Sequence, residues 1–410
     1  MRKKVIIVGA GVAAVHAVKA IREHDPDMEI TVYGEEPFYP YYRLKLSKNL
    51  MTDLAEEKWL ILKKEWYEAH RVNIFLGRKV AGIDPERQTV RLVDGSSDTY
   101  DVLLLANGAS NRPLQLKTGC TADVYTLRTL ADARRIRERV SEKSRILNIG
   151  GGVQGIETAW ALCSHQKKVT VVEIGPRLFP NQLDDTASAI LKKRMEAFGV
   201  QVLTGTQVTE VYGERGCEGA VTGSGKRIDC DMVIYATGIR PNLDILEETS
   251  VKRERGVLVD ERMQTNIPNI YAAGDVAEYT GQTGGLWGIA MTQGKVAGSN
   301  MSGYLAVYRP QVPVTVLNAF QLTVFSMGSV AEEEGDTWSV VEEESGQNRY
   351  TRIFIRQNRI VGAIVIGDLT RSNLLKRMIE NGMELDMADL AEISVGRLLE
   401  RLQRVPVLQR

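Results

Sequence analysis

The chain has 410 residues, 43% hydrophobic and 25% charged, a globular balance that excludes wholesale disorder and gives room for two to three domains at roughly 150 residues each. Lys plus Arg number 52 against 52 Asp plus Glu, and this zero net charge argues against a chain built to grip nucleic acid through its phosphates. Cys120, Cys163, Cys217 and Cys230 form no CxxC pair, and 4 His add no zinc-ligand spacing, so the cysteines read as free thiols of a reducing compartment and no metal site is expected.

The N-terminus imitates a secretory signal, with Arg2-Lys3-Lys4 before the apolar stretch Val5 to Val15. Gly9 and Gly11 fall inside that stretch at motif spacing and an amphipathic helical pattern follows, so the segment reads as the start of a fold in a cytoplasmic protein. Val5 to Val8 reads as a strand, Ala13 to Glu23 as a helix and Glu29 to Tyr33 as a second strand. About 140 residues on, the pattern recurs: a strand from Ile146, Gly150-x-Gly152-x-x-Gly155, a helix over Gln154 to Ser164 and a strand over Lys168 to Glu173. Strand, Gly-rich turn, helix and strand make a βαβ unit, and two of them imply two nucleotide-binding folds.

The chemistry follows from the spacing. In each turn the first glycine (Gly9, Gly150) permits the tight bend and the second (Gly11, Gly152) lets backbone approach a pyrophosphate. The third small residue (Ala14, Gly155) lets the helix pack on the strand, and the helix N-terminus offers free N–H groups to phosphate. An acidic residue after the second strand should bind a ribose. Glu173, 23 residues after Gly150, fits; a carboxylate there repels a 2′-phosphate and favours NADH over NADPH, against a weaker contrary pull from Arg177. In the first unit the expected place is Gly34, with Glu35 and Glu36 just behind, and the ribose is assigned to Glu35.

Further along, Asp101 to Ala106 and Met232 to Ala236 read as strands buried on both faces, ending in Asn107-Gly108 and Thr237-Gly238; Asn269 to Asp275 is a third such strand end. Arg128 to Arg145 carries 7 basic residues against 3 acidic ones, either a solvated helix face or a docking face for an acidic partner. Pro310 to Ala331 is the longest uncharged run, but its two Pro, two Gln and one Asn rule out a membrane helix. Val314 to Gly328 and Ser339 to Gly367 read as antiparallel strands, and Leu369 to Ile379 and Ala388 to Leu402 as helices.

Taken in order, the first Gly-rich turn, Tyr100 to Gly108, the second Gly-rich turn, Val233 to Asn242 and Thr265 to Ala277 resemble the two-dinucleotide-fold flavoprotein reductases of the glutathione-reductase-like superfamily. Asn107, where the family usually has Thr, is the one departure. The resemblance implies an α/β architecture: two Rossmann-like domains and a small α+β C-terminal domain. FAD would bind the first domain (1–115 and 240–312), NADH the second (116–239), and 313–410 would form the third. Ala106, Gly108 and Gly238 would line the cofactors, Asp275 would hold the flavin ribityl chain, and Trp287 would run beside the flavin ring.

The segment Phe38 to Lys48 has no Cys, so thiol-relay chemistry is not expected. Its Tyr41-x-Arg43-x-x-Leu46-Ser47-Lys48 run is similar to the NADH-dependent rubredoxin and ferredoxin reductases and to the flavoprotein module of assimilatory nitrite reductases. By that resemblance Arg43 and Lys48 lie at the flavin, and Glu157 lies near the nicotinamide carboxamide, where it neutralises Lys48. The implied activity passes electrons from NADH via FAD to a small iron–sulfur carrier of rubredoxin or ferredoxin type. A flavin-only NADH oxidase, and an electron-input subunit of a larger iron–sulfur complex, stay open as alternatives, as does a homodimer.

Overall fold

A computed structural model describes residues 3–119, 123–331, 337–344, 348–385 and 394–404. Two five-stranded parallel sheets carry the architecture. In the first, the strand order is Ile270–Ala272, Val102–Leu105, Lys4–Val8, Glu29–Tyr33, Val72–Phe75. In the second it is Val124–Thr126, Met232–Tyr235, Arg145–Ile149, Lys168–Val172, Gln201–Leu203. The first sheet therefore takes its edge strand Ile270–Ala272 from beyond the whole of the second. Both Gly-rich strands are central, and Val5 to Val8 and Ile146 to Ile149, with Asn148 the one polar residue among them, are buried on both faces, as central parallel strands are.

The two Gly-rich turns are built alike. Gly9 N–H donates to the Tyr33 carbonyl and Gly150 N–H to the Val172 carbonyl, each at 2.8 Å. Both glycines have positive φ, +104° and +115°. A β-carbon on them would lie 2.2 Å from the Ala106 oxygen and 2.4 Å from the Ala236 oxygen, so the turn nests against the next strand's end. The helices that follow are Val12–His24 and Val153–Cys163. Across the first of them packs the long helix Trp287–Met301, through Gly294 and Gly298 against Ala13 and Ala17.

The C-terminal unit is a five-stranded antiparallel sheet in the order Val314–Ala319, Leu322–Gly328, Arg359–Ile366, Arg349–Arg356, Thr337–Glu344, backed by the helices Ser372–Glu380 and Val395–Arg404. The helix expected over Ala388 to Leu402 is present from Val395; its earlier part lies outside the described residues, as does Cys120. This sheet is anchored on the second fold. Tyr350 Oη and an Arg352 guanidinium nitrogen donate to Asp184 Oδ2 at 2.5 and 2.9 Å, while Asp184 Oδ1 caps the helix Asp185–Ala197 through Ala187 N–H. Ser326 donates to the Gln182 carbonyl, Arg194 to the Phe320 carbonyl, and Phe320 packs with Trp160 and Phe198.

Candidate active site

A cleft of about 1080 Å³ opens at the first Gly-rich turn, larger than the ~300–1,000 Å³ of common small-molecule sites. Gly9, Gly11, Ala106, Gly108, Asp275 and Trp287 line it, together with Glu35, Arg43 and Lys48. Val153, Gln154 and Glu157 reach it from the second fold, and Val314 to Val316 from the C-terminal sheet. Thus all three units meet there. A β-carbon on Gly11 would meet nothing within 4 Å, and the helix that Gly11 caps has no acidic residue in its first turn, so its N–H groups face open space. Ala14, 2% exposed, packs beneath.

Lys48, Ser47 and Glu157 come together from residues far apart in the chain. Ser47 and Lys48 share the single-turn helix Lys45–Lys48; Glu157 lies on the helix after the second Gly-rich turn. Ser47 Oγ donates to Glu157 Oε2 at 2.6 Å, and Lys48 Nζ stands 3.6 Å from Oε1. Lys48 is 47% exposed at its side chain and Glu157 only 6%. Burial raises the Glu157 carboxyl above its ordinary value, opposed by the Ser47 hydrogen bond and the Lys48 charge. Ser47 stands in the Leu46-Ser47-Lys48 part of the motif that carries the resemblance, but the sequence expectations gave it no role.

Arg43 ties the two folds together. Its guanidinium donates to Glu36 Oε1 and to the Arg128 carbonyl, both at 2.5 Å. Tyr41 Oη donates to Glu36 Oε2 and accepts from Leu130 N–H. Arg128 then pairs with Asp275 Oδ2 at 2.7 Å, while Gly285 N–H donates to Asp275 Oδ1 at 3.0 Å. Arg128 is a second residue that sequence reasoning did not place in the site. The remainder of its basic run is engaged within the chain: Arg134 and Arg137 donate to the carbonyls of Leu54 and Thr52, and Arg139 and Lys143 pair with Asp123. That argues against an open docking face.

Glu35 stands at the cleft rim, 62% exposed and paired with Lys79 at 2.8 Å. Position for position, Gly34 of the first fold answers to Glu173 of the second, since Tyr33 and Val172 accept the equivalent turn N–H groups. Asn107 and Asn242 exchange amide-to-carbonyl hydrogen bonds at 2.8 Å, clasping the strands that lead into and out of the second fold. Asn107 Oδ1 is buried with no hydrogen-bond partner. Trp287 stacks on Tyr42 with ring centroids 5.5 Å apart.

On the second fold, a β-carbon on Gly155 would lie 2.0 Å from the Gly150 oxygen, whereas Gly152 has open space. Glu173 is buried and accepts from the N–H groups of Gly151 and Gly175 at 2.6 and 2.7 Å. Gly238, at φ +96°, turns the chain toward the paired strands Ile239–Pro241 and Ala109–Asn111. Among the described residues no group of three or more His, Cys, Asp or Glu could hold a metal, and no helix is long and apolar enough to cross a membrane.

Comparison with known proteins agrees with this geometry. Residues 313–383 match the rubredoxin NAD+ reductase C-terminal domain. The chain is 30% identical over 383 residues to an NADH-rubredoxin oxidoreductase of Clostridium acetobutylicum, covering 93% of this chain and 96% of that one. It is 33% identical to the nitrite reductase [NAD(P)H] of Bacillus subtilis over 96% of its own length but only 49% of the relative's. The crystal structure of NADH:rubredoxin oxidoreductase from Clostridium acetobutylicum superposes with a TM-score of 0.82 at 28% identity, over 98% of this chain and 100% of that one. Residues 3–294, holding both Gly-rich turns and most of the cleft lining, match the pyridine nucleotide-disulphide oxidoreductases, and the chain belongs to that family.

Proposed function

We propose that residues 1–115 and 240–312 bind FAD, that residues 116–239 bind NADH, and that electrons from NADH leave to a small iron–sulfur carrier. One observation carries this reading: Glu157 of the second fold meets Lys48 of the first inside the cleft. The cleft fits a flavin dinucleotide. It offers an open helix N-terminus at Gly11, the cations Arg43, Lys48 and Arg128, and a buried acceptor without a donor at Asn107. When bound, FAD supplies a two-electron acceptor able to release electrons singly, chemistry that no side chain provides.

The chain's own groups bind, orient and shield. The Gly9–Gly11 turn holds a pyrophosphate, Glu35 a ribose, and Asp275, fixed by Arg128, the ribityl chain. Ala106, Gly108 and Trp287, the last backed by Tyr42, wall off water from the ring. Gly150, Gly152 and Gly155 seat the second dinucleotide, Glu173 accepts from its ribose, and Gly238 leaves room beside it. Lys48 places a positive charge where negative charge develops. Glu157 orients the carboxamide and balances Lys48 between turnovers.

The rubredoxin-reductase match of the C-terminal unit and the similarity to an NADH-rubredoxin oxidoreductase support a rubredoxin- or ferredoxin-type carrier. Anaerobic stopped-flow spectroscopy tests the reading. The purified holoprotein is reduced with NADH, then mixed with oxidised rubredoxin or ferredoxin. Bleaching of the flavin by NADH, then recovery that saturates with carrier and slows with salt, is the expected result. Recovery with oxygen alone would replace the carrier with an oxidase reading.

A further inference from the structure

Two thiols that the electron path does not use lie in contact at the far side of the second fold. Cys217 precedes the strand Gly219–Thr222 and Cys230 follows its antiparallel neighbour Arg227–Asp229. Their sulfurs are 3.6 Å apart, and both residues are buried. Asp123 fixes the first: its carboxylate accepts the Cys217 backbone N–H at 3.1 Å and is held by Arg139 and Lys143. Asp231 fixes the second by accepting from the N–H groups of Ser144 and Arg145. A disulfide needs about 2.05 Å between sulfurs, so closure has to draw this 3.6 Å pair together between two anchored backbones. Cys163 has a different setting, donating to the Phe198 carbonyl.

We propose that Cys217 and Cys230 are an oxidative modification site at which hydrogen peroxide closes an intrachain disulfide. The contact with Cys230, aided by the Gly219 N–H and by Lys143, holds the Cys217 thiol below its ordinary value against burial and the Asp123 charge, while the same contact and burial push Cys230 up. Cys217, 5% exposed and next to the exposed Glu218 against 1% for Cys230, is the sulfur a peroxide reaches first and so the attacking one. It bonds to one peroxide oxygen, the O–O bond breaks, and the displaced hydroxide leaves as water with the thiol proton. The Cys230 sulfur then attacks Cys217, the S–S bond forms, the S–O bond breaks, and a second water leaves. Two thiols lose two electrons and one peroxide gains two. The turn before Cys217 exposes Glu214 and Arg215, three and two residues ahead of the buried sulfur, and so opens a short approach for a small oxidant.

The pair sits at the opposite end of the parallel strands from the Gly150 turn, so closure leaves the dinucleotide site intact. The test treats the holoprotein with hydrogen peroxide, denatures it, alkylates the remaining thiols and maps peptides by mass. A Cys217–Cys230 cross-link, loss of both alkylation sites together, their return with dithiothreitol, and unchanged flavin bleaching by NADH are expected. In Cys230→Ser the intermediate has no resolving thiol, and dimedone should trap it on Cys217. Full alkylation of both thiols after peroxide, a cross-link from Cys217 to Cys120 instead, or no dimedone adduct in Cys230→Ser would overturn the proposal. Mapping the unaltered chain reads the outcome even where the variant misfolds.

Discussion

Glu157 is a carboxylate held out of water by the helix that carries it and the single turn that faces it. Its charged form fills at higher pH than an exposed glutamate's, because burial raises its pKa more than Ser47 and Lys48 lower it. If that form orients the nicotinamide, flavin bleaching by NADH accelerates as pH rises through this range. Glu157→Gln should flatten the limb and slow bleaching about ten- to hundredfold with flavin content kept. Ser47→Ala removes a hydrogen bond to the charged form and moves the limb to higher pH; stopped-flow runs across pH, unchanged in both variants, would refute the pairing. Glu173→Ala should shift the NADH-to-NADPH ratio of kcat/KM toward NADPH by about tenfold, or 1.4 kcal/mol, as the carboxylate's repulsion is lost. Lys48 and Glu157 were legible through resemblance. The partners of Ser47, although it lies in the same motif, and of Arg128 were not, since a hydroxyl bond across 110 residues and an arginine paired with Asp275 leave no local sign.

At the scale of elements, two glycine devices do different jobs. Gly155 keeps its helix close to its own turn, whereas Gly298 lets one helix cross another within reach of the Ala17 carbonyl. Gly155→Ala should therefore cost about 1–3 kcal/mol within the second fold and impair reduction by NADH while flavin stays bound. Gly298→Ala, whose β-carbon would sit 2.3 Å from that carbonyl, should instead weaken flavin retention, measured as the absorbance ratio of purified protein. The strands and helices around the Gly-rich turns were readable because their apolar periods are strong and unbroken. Cross-chain packing of Gly294 and Gly298 on Ala13 and Ala17 was not, because small residues in a helix interior look unremarkable until the partner is known.

For the whole molecule, ordered motifs revealed two nucleotide folds with one inserted in the other, and the change in strand alternation revealed a third unit. Which fold that third unit grips was hidden, since Asp184, Tyr350 and Arg352 are separated by more than a hundred and sixty residues. Asp184→Ala removes a helix cap and an acceptor for both partners, and should lower stability by about 2–3 kcal/mol, read as an earlier urea midpoint. The anchorage has a consequence for recombination between relatives. Ser326, Tyr350, Arg352 and the Phe320 carbonyl all bond to the second fold, so residues 116–239 and 313–410 are expected to behave as one transplantable block. A chimera that exchanges the second fold alone would pair a foreign surface with the native tail. One that exchanges both together keeps their shared seam, and it is the version expected to mature with a complete cleft.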